Sequence, residues 1–489
     1  MTSMIRFHNT LSGRVEPFAP LVPGEAKIYT CGPTVYDYQH IGNCRAYVFE
    51  DLLKRFLKFM GFRVTHVMNI TDVDDKTIRR AREAGVSLQD YTQKYIEAFF
   101  RDLEILRIQP ADRYPRATEH IPQMVKIIRT LLDKGYAYRK DGSIYFSIAK
   151  FSDYGKLSKI RMEDLKPSGR VESDEYEKES VHDFALWKDR KEGEPFWETE
   201  VGTGRPGWHI ECSAMSSEYL GPTFDIHCGG VDNIFPHHEN EIAQSEAASG
   251  GKFVNTWLHC HHLVVDGEKM AKSKGNFYTL ADILERGYDP LEVRFLLLST
   301  HYRKMLNFTF EALDRARAGR FRIRDFVVDL RSVVGSTETN PAVGRMIETA
   351  REGITAGLSD DLNISAALAA LFNLIEEVNG IRSREGMSGA DAGALLEFMK
   401  EVDEVLAVEP WTVSVGGSAA ASGSAGGRAD VSDDLSPDLK EKVEERQRAR
   451  ADRDFARADA IRRELLALGI ILEDTKDGVR WKRAGPGAS

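Results

Sequence analysis

Seven of the thirteen histidines (His209, His227, His237, His238, His259, His261 and His262) fall in one 54-residue window with Cys212, Cys228 and Cys260. Crowding imidazoles with thiols is the pattern of a metal site, because both supply ligand atoms suited to zinc. Any one of these histidines alone reads as an ordinary core or surface residue. The sharpest pair is His237 with Glu241, since an i,i+4 spacing puts an imidazole and a carboxylate on one helix face. Cys212 lies one turn after Trp208, and Cys31 ends an earlier extended run. Spacing alone leaves Cys228 and Cys260 open as the second sulfur, for no close Cys-x-x-Cys pair exists.

A second chemistry is suggested by two loops. His40-Ile41-Gly42-Asn43 opens a helical pattern, where free backbone amides and the helix dipole favour phosphate. Lys269-Met270-Ala271-Lys272-Ser273-Lys274 is a glycine-bounded loop with three lysines. Singly, these read as a capped helix start and a solvated hairpin. Together they are two donor-rich loops able to grip a triphosphate from both sides.

The elements that must position these groups follow from periodicity. Residues 26–30 read as a strand, residues 46–60 as an amphipathic helix stopping at Gly61, and residues 63–70 as the next strand of a βαβ unit. In such a unit Cys31 and the His40 loop lie at the carboxyl edge of the sheet, where ligands bind. Thr71-Asp72-Val73-Asp74-Asp75-Lys76 exits the second strand at that same edge, and its plain reading is a turn and helix cap. Asp141-Gly142 marks a hairpin inside an inserted region, and 156–180 reads as a charged surface loop. The central fold resumes with a helix from about Trp208, a strand at 224–228, a helix with Pro236 at N1, and a strand at 258–265. From Pro290 to Leu406 the pattern is helical throughout. The Gly, Ala and Ser-rich stretch 413–433 reads as a flexible linker, followed by one helix over about 439–468 and a small hairpin at Asp477-Gly478.

At 489 residues the chain needs about three domains of roughly 100 to 200 residues each. Its 42% hydrophobic content and mean hydropathy of -0.37 exclude an integral membrane protein, and no apolar run reaches the roughly 20 residues of a bilayer span. The first residues show no apolar signal-peptide core. A net charge of -10 argues against a DNA-coating protein but permits a local basic site. Five cysteines without an export signal point to reduced thiols in the cytoplasm.

The motifs in their order resemble those of the cysteinyl-tRNA synthetases of class I over nearly the whole length. His40-Ile41-Gly42-Asn43 is similar to the HIGH signature and Lys269-Met270-Ala271-Lys272-Ser273 to KMSKS. The stretches 69–76, 207–213, 235–245 and 469–481 match as well. The resemblance implies an α/β protein: a Rossmann-like parallel-sheet catalytic domain (1–110 and 200–288) with an inserted α/β connective region (111–199). A tRNA-binding α-helical bundle (289–412), the linker (413–433) and a small C-terminal α/β anticodon-binding module (434–489) would follow. It implies one Zn2+ held by Cys31, Cys212, His237 and Glu241, which would prefer the thiolate of substrate cysteine over a serine hydroxyl. Thr71 and Trp208 would line the cysteine pocket. Lys272, Lys269, His40 and Asn43 would be catalytic, and with Gly42 would bind ATP, accompanied by Mg2+. Expected partners are L-cysteine, ATP and tRNA(Cys), with no DNA or membrane, for a cytoplasmic monomer.

Two signature positions differ. Asn43 stands for the second histidine of HIGH, and can donate a hydrogen bond but carry no charge; Ala271 stands for the serine of KMSKS. The nearest alternative is a cysteine ligase of mycothiol biosynthesis, which hands cysteine to a glycosyl amine and has a shorter C-terminal part. Residues 441–483 hold 12 Lys and Arg against 10 Asp and Glu, a net +2 that suits tRNA. A non-catalytic zinc-stabilised RNA-binding protein should have lost the lysine loop, and a small-molecule adenylyltransferase would not explain the metal set.

Overall fold

The computed structural model describes residues 4–161, 183–409, 437–451, 454–467, 470–475 and 478–483. The expected linker at 413–433, and most of the charged loop at 156–180, lie outside the described residues. Two units are distinguished: residues 1–284 with 288–411, and residues 285–287 with 412–489.

The first unit is built on a four-stranded parallel sheet. Its elements are β1 (Glu25–Thr30), α1 (Ile41–Phe59), β2 (Arg63–Met68), α2 (Trp208–Leu220), β3 (Phe224–Gly230), α3 (Glu239–Ser249) and β4 (Val254–Cys260). The strand order is β4-β3-β1-β2, every pair parallel. Chain direction across the sheet therefore reverses between β1 and β3, and a crevice opens outside their carboxyl ends. Cys31 continues the pairing one residue further, its N–H donating to the carbonyl of Cys228 at 3.3 Å. α1 stops where the sequence predicts: Gly61, at φ +87, donates to the carbonyl of Lys58.

The connective region is a five-stranded antiparallel sheet, and it takes in Gly202–Pro206 beside Phe184–Asp189. The helices Pro290–Ser299, Phe310–Arg331, Pro341–Ser359, Ile364–Glu385 and Gly389–Leu406 do not form a separate core. Leu53 and Phe56 of α1 share one buried cluster with Phe295, Leu330, Leu358, Leu395 and Leu406. Each such side chain contributes about 1.5–3 kcal/mol on burial, so the helical region and the sheet stand or fall together. Ile364–Glu385 is long and apolar enough by composition to span a membrane, but Ala367, Leu371, Leu374 and Val378 are buried in this core.

A buried ion pair fastens the two parts. Arg294 donates to the carbonyls of Leu406 and Leu106 at 2.8 and 2.9 Å and to Asp51 on α1 at 2.5 Å, with both charged side chains fully buried. Removing one partner of such a pair leaves the other buried without compensation. Arg294→Leu is therefore expected to lower unfolding stability by about 3–5 kcal/mol, read as a shift of the urea midpoint. A loss under about 1 kcal/mol would show that Arg55, 2.7 Å from the same carboxylate, holds Asp51 unaided.

Three expectations need correction. The strand foreseen at 258–265 is broken: β4 ends at Cys260, and Leu263–Val265 pairs instead with Leu306–Phe308. His261 turns out of the sheet by donating its N–H to Tyr302 at 2.7 Å, while Arg45 holds the carbonyl of His262 at 2.9 Å. Pro236 does open the helical run, with extended Phe235 (φ -138, ψ 130) before it as proline requires, but the turn through His238 is π-type, and regular helix, α3, begins at Glu239. In the second unit the single expected helix is two, Pro437–Ala451 and Phe455–Ala467. Asp454 starts the second by accepting from the N–H of Arg457 at 3.1 Å. The strands Ile470–Thr475 and Gly478–Arg483 then form an antiparallel hairpin.

Candidate active site

The crevice between β1 and β3 gathers residues from four elements. Cys31 follows β1, Cys212 sits on α2, His237 lies in the helical turn between β3 and α3, and Glu241 is in the first turn of α3. One ligand atom from each lies within 4.8 Å of all the others, and three of the four residues are buried. A tetrahedral zinc with metal–ligand bonds of about 2.0–2.3 Å requires donors this close. A second grouping, Cys31, His227, His238 and Glu241, meets the same criterion.

Bonding around the two sets separates them. His227 Nε2 lies 3.0 Å from Glu241 Oε2, and His238 Nε2 lies 3.2 Å from Cys31 Sγ while its Nδ1 meets His259 at 2.8 Å. These histidines hold Glu241 and Cys31 from behind, the arrangement that orients metal ligands. His237 Nε2 is 3.1 Å from Glu241 Oε1, yet that oxygen is buried with no hydrogen-bond partner. An unpartnered oxygen beside an imidazole and two thiols fits a cation better than any further donor. The set with two sulfurs is also the softer one, which suits zinc.

Electrostatics agree. Burial pushes the Glu241 carboxyl up to about 7, partly offset by His237, and burial drives His237 down to about 3. Cys31 is raised by its hydrogen bond with Cys212 and by burial. Cys212 is favoured as thiolate by that same bond but ends above the ordinary range through burial and Glu241. The cluster thus resists ionisation by itself, and a divalent cation is the partner whose charge would favour the ionised thiols and carboxylate. Cys228 and Cys260, open on spacing, join neither set and are buried. Trp208, 40% exposed, stacks on His237 with ring centroids 4.2 Å apart, and Thr71 is buried at the exit of β2.

The two phosphate loops also meet. His40 caps α1: its Nδ1 accepts from the N–H of Asn43, and Asn43 Oδ1 accepts from the N–H of His40, both at 3.2 Å. Asn43 therefore builds a capping box and keeps its NH2 group as a donor, which gives the departure from the second histidine a structural use. Burial lowers His40 below the ordinary imidazole range. The lysine loop is zipped to this end of α1, with His40 bridging Thr279 and Ile41 N–H donating to Tyr278 at 3.0 Å. A Cβ on Gly42 would come within 2.9 Å of the Met270 methyl and of the His40 ring, so a larger residue there would displace the capping imidazole or the loop methionine. Lys272 ion-pairs with Asp37 across the gap and lies 5.0 Å from the Phe277 ring centroid; both Lys272 and Lys269 are exposed.

Reasoning from sequence missed Asp37, Phe277, Glu211 and the supporting roles of His227, His238 and His259. The histidines were visible only as a crowd; no local spacing marked the others.

Residues 17–318 match the family model "tRNA synthetases class I (C) catalytic domain", 354–408 a DALR domain and 432–481 a cysteinyl-tRNA ligase anticodon binding domain. The chain is 48% identical to a cysteine–tRNA ligase of Chlamydia muridarum, covering 97% of this chain and 99% of that one. It is 46% identical to one from Koribacter versatilis, covering 98% and 99%. Among solved structures, the fold resembles a methionyl-tRNA synthetase of Mycobacterium tuberculosis at TM-score 0.57 and 17% identity, over 78% of this chain and 90% of that one. It also resembles an Agrobacterium radiobacter K84 LeuRS in a ternary complex, at TM-score 0.59 and 12% identity over 80% and 85%.

Proposed function

The chain belongs to the cysteine–tRNA ligase family of class I aminoacyl-tRNA synthetases, and from that premise we propose how its residues divide the work. The enzyme activates L-cysteine with ATP, releasing pyrophosphate, and transfers the cysteinyl group to the 3′ end of tRNA(Cys). Cys31, Cys212, His237 and Glu241 would hold a zinc ion. When bound, it supplies a site with higher affinity for a thiolate than for a hydroxyl, which distinguishes cysteine from serine. The observation that carries this reading is the convergence of those four donors at the carboxyl edge of the parallel sheet, the edge from which the chain also enters α1 through the His40 cap.

His227 and His238 keep Glu241 and Cys31 in place, so the pocket floor is fixed before cysteine arrives. Trp208 and Thr71 line the walls. The cysteine carboxylate attacks the ATP α-phosphorus in line, and the tRNA ribose hydroxyl then attacks the cysteinyl-adenylate, losing its proton as AMP departs. Neither step needs a protein nucleophile, so positioning and charge stabilisation are what the chain provides. Lys272 leads in stabilising phosphate charge, helped by Lys269, the His40 ring and the Asn43 amide, with Gly42 letting the loops close. Mg2+ would arrive with ATP. Family resemblance further supports a cytoplasmic monomer acting on tRNA, without DNA or membrane partners.

A charging assay tests the reading. The full chain with cysteine and ATP is expected to charge tRNA(Cys) and to leave a glycosyl amine acceptor unmodified; the reverse would identify a cysteine ligase of the mycothiol type. A chain ending at residue 433 should keep cysteine-dependent ATP–pyrophosphate exchange and lose tRNA charging by tenfold or more, about 1.4 kcal/mol. Full charging by the shortened chain would remove the anticodon role from the tail.

A further inference from the structure

The loop that enters α1 has two differently furnished sides. His40, Ile41 and Gly42 lie against the lysine loop, whereas Tyr36 and Tyr38 lie against the helix Leu88–Ile105. Tyr91 and Tyr95, one turn apart on that helix, have ring centroids 5.2 Å apart, and Tyr38 packs edge-on against Tyr95 at 5.1 Å. The Tyr91 hydroxyl donates to the carbonyl of Tyr36 at 2.9 Å, which ties the helix to the loop and sets the rings before any ligand arrives. Tyr38 is nevertheless 41% exposed. The exposed Lys94 puts its ammonium 5.3 Å from the centroids of both Tyr38 and Tyr95, and that of Lys76 lies 5.5 Å from the Tyr36 ring. Asp37, the partner of Lys272, is within electrostatic reach of Lys94 and Tyr91, so this patch adjoins the phosphate loops. A single exposed tyrosine needs no explanation. Preset rings interleaved with lysines are the surface on which unpaired nucleic-acid bases stack, since every base has a π-face and the phosphate backbone attracts the cations.

We propose that Tyr38 and Tyr95, with Lys94 beside them, form a stacking platform for an unpaired base of the tRNA 3′ end. The proposal rests on the reading that this chain charges tRNA. The ribose hydroxyl that attacks the adenylate belongs to the last nucleotide, so the unpaired strand behind it must cross the rim of the cleft that the two phosphate loops enclose. The aromatic side of the entering loop meets both needs of that strand, with flat apolar faces for its bases and ammonium groups for its phosphates. Stacking reads no base edge, so the platform steers the strand to the adenylate without choosing among tRNAs.

The test uses the zinc-loaded full chain and two forms of tRNA(Cys), intact and with the unpaired 3′ nucleotides removed, whose Kd values are compared by fluorescence titration at one salt concentration. Tyr38→Ala should weaken the intact tRNA by about tenfold, the effect of losing one stacked base, and leave the trimmed tRNA within about twofold. Tyr38→Phe keeps the ring and should retain the parental affinity for both. Lys94→Ala should weaken the intact form by about threefold and flatten its salt dependence. Equal weakening of both forms by Tyr38→Ala, or weakening of neither, overturns the proposal, as does a matching loss in Tyr38→Phe. A raised KM for ATP in pyrophosphate exchange, with tRNA affinity unaltered, would assign the ring to adenine and overturn it too. If the parent chain charges no tRNA, the functional reading itself fails; parental charging with no effect of Tyr38→Ala on either Kd removes the platform alone.

Discussion

Cys212→Ser is expected to lower cysteine-dependent ATP–pyrophosphate exchange by about three orders of magnitude, a loss of roughly 4 kcal/mol in transition-state stabilisation. Outer partners of a metal ligand already cost about 10–100-fold when removed, and Cys212 would be a ligand itself. It lies 1% exposed beside Cys31 and Glu241, in a cluster whose burial disfavours charge. A serine oxygen there is shorter, harder and a poorer partner for zinc than a thiolate. Bound zinc should fall well below one per chain, while far-ultraviolet circular dichroism stays that of the parent. Cys228→Ser and Cys260→Ser mark the contrast: both change a buried thiol, yet neither belongs to the cluster, and both should keep the metal and the exchange activity. Zinc lost equally in all three variants would mean that general core damage, not ligand loss, is being measured.

Lys272→Ala is expected to slow adenylate formation by about 10²–10³-fold, the usual effect of removing one preorganised donor from a developing charge, and to leave cysteine affinity within about twofold. Lys272 pairs with Asp37 while its side chain stays 60% exposed. An exposed pair of this kind is worth about 0–1 kcal/mol, so a triphosphate readily draws the ammonium away. The Lys272 ammonium lies over the Phe277 ring, which also packs edge-on against His40 at 5.3 Å and so links the two groups. Pre-steady-state pyrophosphate release separates the chemical step from binding. Equal losses in rate and in cysteine affinity would remove Lys272 from phosphate stabilisation.

Local patterns carried much of this into view. The i,i+4 pairing of His237 with Glu241, the βαβ unit around α1 and the lysine loop all depend on residues near one another in sequence, where helical periodicity and glycine boundaries leave a trace. The grouping of Cys31 with Cys212 rather than with Cys228 or Cys260 was not legible from spacing, because it depends on α2 packing against β1, far apart in the chain, while Cys228 and Cys260 are buried in a different apolar cluster. Glu211 was hidden for the same reason: its link to Thr71 crosses 140 residues. Nor did periodicity foresee that the helical region would share one core with the sheet, since an apolar helix face does not announce its partner. The break after Cys260 leaves no trace in the sequence because Leu263–Val265 is as strand-forming as the run before it, and the hydrogen bonds of His261 to Tyr302 and of Arg45 to His262 accompany the turn.

Selection of cysteine by sulfur at the cluster is most directly tested by zinc K-edge X-ray absorption on the full enzyme. Without ligand, two sulfur neighbours are expected, from Cys31 and Cys212, at about 2.3 Å. Saturating cysteine should raise the count to three, and serine at the same concentration should leave it at two. A count that stays at two with cysteine bound would contradict selection through a metal–sulfur bond.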